Sequence, residues 1–120
     1  MIETWIRVRD LLIPAIARPP HTHTEDDVLV AIYSGNAVLW TTECNRGAIV
    51  TEFITSPRLK TLHYWLVGGD MAAVLSLEPR IAEFARANGC AMTTASGRKG
   101  WPRILKHWKE SSFVIYRELT

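Results

Sequence analysis

Residues Trp65 to Cys90 read "WLVGGDMAAVLSLEPRIAEFARANGC", and the fold turns on this stretch. A β-forming run ends in the paired glycines Gly68 and Gly69, and a helical run follows as far as Gly89. A join of this kind suits a phosphate-bearing cofactor, because free amides and the dipole at a helix N-terminus favour an anion. Asp70 stands where that phosphate would sit, and its charge opposes it. The stretch is either a working cofactor loop or part of a fold that has lost its cofactor.

The helical run spans Asp70 to Asn88, with Ile81, Phe84 and Ala85 on one face and Gly89 as its stop. Pro79 is tolerated only in a first turn, so the helix is expected to start near Ser76. Downstream, "CAMTTA" reads as a strand, "GWPRILKHW" as a short helix and "SSFVIYREL" as a closing strand. A strand–helix–strand crossover of this kind is expected to be parallel.

Upstream of Trp65 the pattern is antiparallel. "NAVLWTT", "AIVTEFIT" and "LKTLHYWLV" are three strands. "CNRG", with Asn45 and Gly47 suited to unusual dihedrals, and "SPR" are the turns between them. Before these strands come two helices. In Ile2–Ala17, Trp5, Val8 and Leu12 fall at helical spacing, and Pro14 is expected to kink or end the helix. Thr24 caps the second helix ahead of Glu25, Asp26 and Asp27; Val28, Leu29, Ile32 and Tyr33 form its buried stripe and Gly35 stops it. The expected fold class is α+β in one domain over 1–120. Two N-terminal helices and a three-stranded antiparallel meander are followed by helix-strand-helix-strand, which completes a mixed sheet.

Composition agrees with one packed domain. The chain has 120 residues, 48% of them hydrophobic, which is enough for a core and argues against disorder. No apolar run is long enough to span a membrane, and the N-terminus does not read as a signal peptide. Cys44 and Cys90 lack metal-ligand spacing and read as reduced thiols. The net charge of +2 does not by itself imply nucleic acid. Arg98, Lys99, Arg103, Lys106 and Lys109 form a run without an intervening acid, which reads as a solvated basic face or as a contact for phosphate or nucleic acid.

The element order, with "ARANGC" leading into a strand and a short helix before a final strand, resembles the GNAT (N-acetyltransferase) superfamily over 36–119. The resemblance implies a strand splayed from its neighbour, with the next loop and helix N-terminus binding the pyrophosphate of acetyl-CoA. Family first and last strands have no counterpart here, so the implied fold is trimmed. "HTHTEDD", "GGD" and "GRKGW" also resemble small GNAT-like proteins of tailed phages, which implies a phage protein placed in the virion or the host cytoplasm.

Departures from the family pattern bear on function. The family loop is Gln/Arg-x-x-Gly-x-Gly/Ala, and Gly69 to Val74 stand in its place. The cofactor-binding positions implied by the resemblance are Gly68, Gly69, Asp70, Met71 and Ala72. The Asp70 charge beside a pyrophosphate costs on the order of 1 to 4 kcal/mol. Val74 puts a branched side chain where backbone must approach the ligand. The tyrosine that often serves the leaving thiolate is replaced by Ile104 and Leu105, and Tyr116 lies on the following strand.

The catalytic candidates are Glu52 and His63, each in mid-strand, as bases for an amine. The plainer reading makes Glu52 a solvent-facing residue and His63 a hydrogen-bonded sheet residue. His21 and His23 with Asp26 or Asp27 are two or three metal-type ligands without a fixed third spacing, and read more simply as a polar loop. "GRKGW" is an anion loop or a backbone turn.

Trp5, Trp40, Trp65, Trp101 and Trp108 are many for so small a core and are expected to leave interface anchors exposed. The expected function is a GNAT-like domain without an intact acetyl-CoA loop. It is expected to be non-catalytic and without a cofactor, a structural or assembly component of a phage particle that contacts other protein subunits. The alternatives are an acetyl-CoA-dependent N-acetyltransferase with an atypical loop, and a nucleic-acid or phosphate binder using the basic C-terminal helix.

Overall fold

The computed structural model describes residues 2–18, 22–95, 108, 109, 117 and 119. Its elements are α1 (Ile2–Ile16), α2 (Glu25–Ser34), β1 (Ala37–Thr41), β2 (Gly47–Thr55), β3 (Lys60–Gly69), α3 (Met71–Ala87) and β4 (Met92–Ala95). The strands form one sheet in the order β1-β2-β3-β4. The first two pairings are antiparallel and β3–β4 is parallel, as the strand–helix–strand pattern predicts. The expected short helix at "GWPRILKHW" and the closing strand at "SSFVIYREL" fall almost wholly outside the described residues.

Alternation along the strands divides the core between two faces. Ala48, Val50 and Leu66 meet Trp5, Val8 and Leu12 of α1 and Val28 of α2. Ile49, Leu62 and Tyr64 meet Val74, Leu77, Ile81 and Ala85 of α3. The sheet is thus sandwiched, with α1 and α2 on one side and α3 on the other. The β2–β3 register slips between Val50 and Thr51, where Val50 opposes Leu66 and Thr51 opposes Tyr64. Trp65 is the extra residue, so Trp65 and Leu66 both serve the α1 side, the signature of a bulge.

Local chemistry accounts for most element ends. Thr24 accepts from Asp27 N–H while the Asp27 carboxylate accepts from Thr24 N–H, a complete capping box. Gly35 stops α2 at φ 87, and Gly89, at φ 77, follows α3. In the β1–β2 turn, Asn45 takes the left-handed conformation at φ 56. Gly47 does not; its requirement is space, because a Cβ there would lie 2.9 Å from Ala73 Cβ.

Three sequence expectations are corrected. α3 starts at Met71 rather than near Ser76, with Pro79 inside it. Pro79 is exposed, so the bond it denies the Leu75 carbonyl is lost on the wet side, while Val74, Leu77, Ile81 and Ala85 hold the helix to the sheet. α1 likewise runs past Pro14 to Ile16, with Pro14 exposed in its last turn. Tyr33 is 63% exposed and lies outside the buried stripe of α2, of which only Val28 is fully buried.

Candidate functional site

The β3–α3 join is minimal: β3 ends at Gly69 and α3 begins at Met71, leaving Asp70 alone between them. Both glycines are required by packing. A Cβ on Gly68 would fall 1.9 Å from the Leu11 carbonyl oxygen of α1. Gly69 has φ +104, and a Cβ there would fall 2.1 Å from the Arg46 carbonyl oxygen. That carbonyl also accepts from Asp70 N–H at 2.9 Å. The absence of side chains at 68 and 69 thus admits neighbouring backbone.

Asp70 is the N-cap residue, extended at φ −66 and ψ 130, and its side chain makes no capping hydrogen bond. Its carbonyl accepts from Val74 N–H at 2.9 Å. Val74 is a core residue, turned onto Ile49 and Leu62 rather than into the loop. Asp70, Met71 and Ala72 are exposed. Asp70 alone connects β3 to α3, and its carboxylate carries the same sign of charge as a phosphate.

β3 meets β4 only from Thr61 to Tyr64, whose partners are Met92 to Ala95. Beyond the bulge, Trp65 to Gly69 have no β4 partner among the described residues.

Glu52 and His63 are cross-strand partners on β2 and β3. Both side chains project on the α1–α2 side, because their neighbours Phe53 and Leu62 belong to the α3 side. Partial burial raises the Glu52 carboxyl above the ordinary carboxylate range, and the charge of His23 offsets this in part. Burial lowers the His63 imidazole, so its neutral form is favoured. The Thr94 hydroxyl oxygen of β4 lies 2.8 Å from His63 Nδ1. His23 packs edge-on to Trp65, with ring centroids 4.8 Å apart. A half-buried carboxyl, a neutral imidazole and an aromatic wall thus share one face, a grouping able to accept a proton from a bound amine.

The sequence named Glu52 and His63 separately; the register brings them together. Thr94 and Trp65 had no signal as site residues, because their proximity arises from the parallel pairing and the bulge. No cluster of three metal-type ligands occurs among the described residues, and His21 lies outside them. Ile104, Leu105, Tyr116 and "GRKGW", with most of the basic run, also lie outside them; Lys109 is exposed. Cys44 and Cys90 are free thiols. Trp5 is 1% exposed, and Trp40, Trp65 and Trp108 are half-buried, so the described tryptophans are not the exposed anchors expected from their number. Trp40 donates to Thr51 Oγ1 at 2.9 Å and packs on Phe84, while Trp108 packs edge-on to Tyr64.

The sequence matches no protein-family model and no curated protein. Among solved structures, the chain is similar to a Trypanosoma brucei acetyltransferase. The TM-score is 0.72 at 12% identity, over 99% of this chain and 95% of that one. The fold is GNAT-like. At this identity the likeness carries architecture and not activity. No helix among the described residues is long and apolar enough to cross a membrane.

Proposed function

We propose that this chain is a GNAT-like domain without a working acetyl-CoA loop, serving as a non-catalytic structural or assembly component through protein–protein contacts. One observation carries the reading: the β3–α3 connection is the single residue Asp70, preceded by two glycines closely approached by Leu11 and Arg46 backbone. The setting, a tailed-phage particle in the virion or host cytoplasm with other subunits as partners, rests on the resemblance of "HTHTEDD", "GGD" and "GRKGW".

A second reading has its own support. Glu52 and His63 are cross-strand partners, burial raising the carboxyl and lowering the imidazole, and the matched T. brucei protein is an acetyltransferase. On this reading the chain is an N-acetyltransferase with an atypical loop. The basic run supports a third reading, nucleic-acid binding, less directly.

Calorimetric titration with acetyl-CoA at moderate salt separates the first two readings. The expected result is no binding at millimolar ligand. Micromolar binding, about −8 kcal/mol, overturns the proposal and makes Glu52 and His63 the next residues to substitute. If binding is found, Asp70→Gly is expected to tighten it by removing the repulsion. An unchanged affinity would place the pyrophosphate elsewhere.

A further inference from the structure

His23 is a loop residue held against the sheet. It precedes α2, and the Thr24–Asp27 capping box fixes where the chain enters that helix. Its ring packs edge-on to Trp65, with centroids 4.8 Å apart and planes at 72°. Thr22 Oγ1 lies 2.8 Å from His23 Nδ1. Trp65 is the extra residue of the β3 bulge, so the irregularity in the sheet supplies the aromatic partner.

Glu52 and His63 occupy the face on which Trp65 stands. His23 thus sits against the aromatic wall of that pair, close enough for its charge to act on the Glu52 carboxyl. The His23 side chain is itself exposed and exchanges protons with water.

A charged ring at this place meets attraction from three elements. From β2 comes Glu52, whose carboxyl is raised by burial and brought back in part by His23. From α2 comes Asp27, held down first by the backbone and side-chain bonds of Thr24 and to a smaller extent by His23. From β3 comes the Trp65 ring, and aromatic rings attract cations. His63, also on β3, is favoured in its neutral form by burial and adds no like charge. A neutral ring keeps the packing on Trp65 and loses the attraction to both carboxylates.

We propose that His23 is a proton-operated latch on the Glu52–His63 face. Charged, it grips Trp65 beside Glu52 and closes that face; neutral, it loosens and opens it. The latch works in a window rather than over the whole acid range. Its upper limit is the loss of the imidazolium charge, which for an imidazole in water falls at about 6.5. Its lower limit comes from Glu52, which takes up its own proton somewhat above 4.5 because burial raises it, and the attraction then disappears. A purely structural contact between two rings has no such window. The device needs neither acetyl-CoA nor a catalytic role for Glu52, so the titration that decides the proposed function leaves it standing or falling on its own test.

Acrylamide quenching of Trp65 fluorescence tests the latch. The Trp65 signal is the difference between the full chain and its Trp65→Phe variant, followed from about pH 8 to about pH 4. Quenching is expected to fall by about twofold as His23 gains its charge, and to recover at the acid end as Glu52 loses its own. His23→Gln is expected to flatten the profile. Glu52→Gln is expected to shrink the fall and abolish the recovery, and His63→Gln to leave both in place. A second readout needs no variant to fold: the nuclear Overhauser contact between the His23 ring and the Trp65 ring in the unaltered chain is expected to strengthen within the window. A profile that survives His23→Gln, or one that disappears only in His63→Gln, overturns the proposal. So does a ring contact of constant strength across the range.

Discussion

Arg9 and Glu25 lock α1 to α2. Arg9 Nε donates to Glu25 Oε1 at 2.8 Å and Nη2 donates to Oε2 at 2.7 Å, a two-pronged contact. Trp5 Nε1 donates to the same Oε1 at 2.8 Å, so one carboxylate joins a core tryptophan, an arginine and the first turn of α2.

These bonds from Arg9 and Trp5 hold the Glu25 carboxyl down from 4.5 to about 2. A depressed carboxyl contributes stability above its unfolded pKa and loses it as pH falls. Thermal unfolding of the unaltered chain is therefore expected to weaken between pH 4.5 and about 2. Glu25→Gln is expected to lose about 1 kcal/mol at pH 7 and to flatten that part of the profile. An unchanged profile would mean that α1 and α2 are held by packing alone.

Gly68→Ala is expected to destabilise the chain by about 3 kcal/mol or more, because the Cβ meets the Leu11 backbone. Gly35→Ala meets no atom within 4 Å but must hold φ +87, and is expected to lose about 1 kcal/mol. Urea unfolding without any ligand provides the comparison. Equal midpoints would return Gly68 to a ligand-facing role.

Pro79→Ala restores an N–H to the Leu75 carbonyl in the middle of α3 and is expected to raise stability by about 1 to 2 kcal/mol. Pro79 is exposed, so the change disturbs no core contact. A fall in the urea midpoint would show that the proline is needed for the docking of α3.

Glu52 and His63 give opposite pH signatures. The raised Glu52 carboxyl favours the folded state at low pH and loses that contribution as pH rises past 4.5. The lowered His63 imidazole withdraws stability as pH falls below 6.5, where the unfolded chain takes up the proton first. Glu52→Gln is expected to stabilise the chain at pH 7, and His63→Gln to remove the loss below pH 6.5. Melting curves across pH 4 to 8 test both. A Glu52→Gln chain no more stable than its parent would place that carboxylate in water.

Much of the architecture was legible in the chain because its signals are local. Thr24 with Asp27 capping α2, Gly35 and Gly89 ending helices, and Trp5, Val8 and Leu12 at helical spacing are read within one or two turns of backbone. The meander and the parallel return followed from strand pattern and element order. Pro79 does not end α3 because helix propensity gives way to packing. Four core contacts on the buried face outweighed one bond missing on the exposed face. Tyr33 misled because a helix over an edge strand has less sheet to cover it.

The tertiary structure decided the character of the site. A "GG" before a helix is the same string whether the glycines admit a phosphate or the backbone of Leu11 and Arg46, and only the folded neighbours distinguish the two. Glu52 and His63 are 11 positions apart in the sequence and become partners through the β2–β3 register. Thr94 reaches His63 through the parallel pairing of β4. Sequence by itself determined which segments become helices and strands, because those preferences act over a few residues. Burial and charge environment depend on segments remote in the chain, and folding alone brings those together.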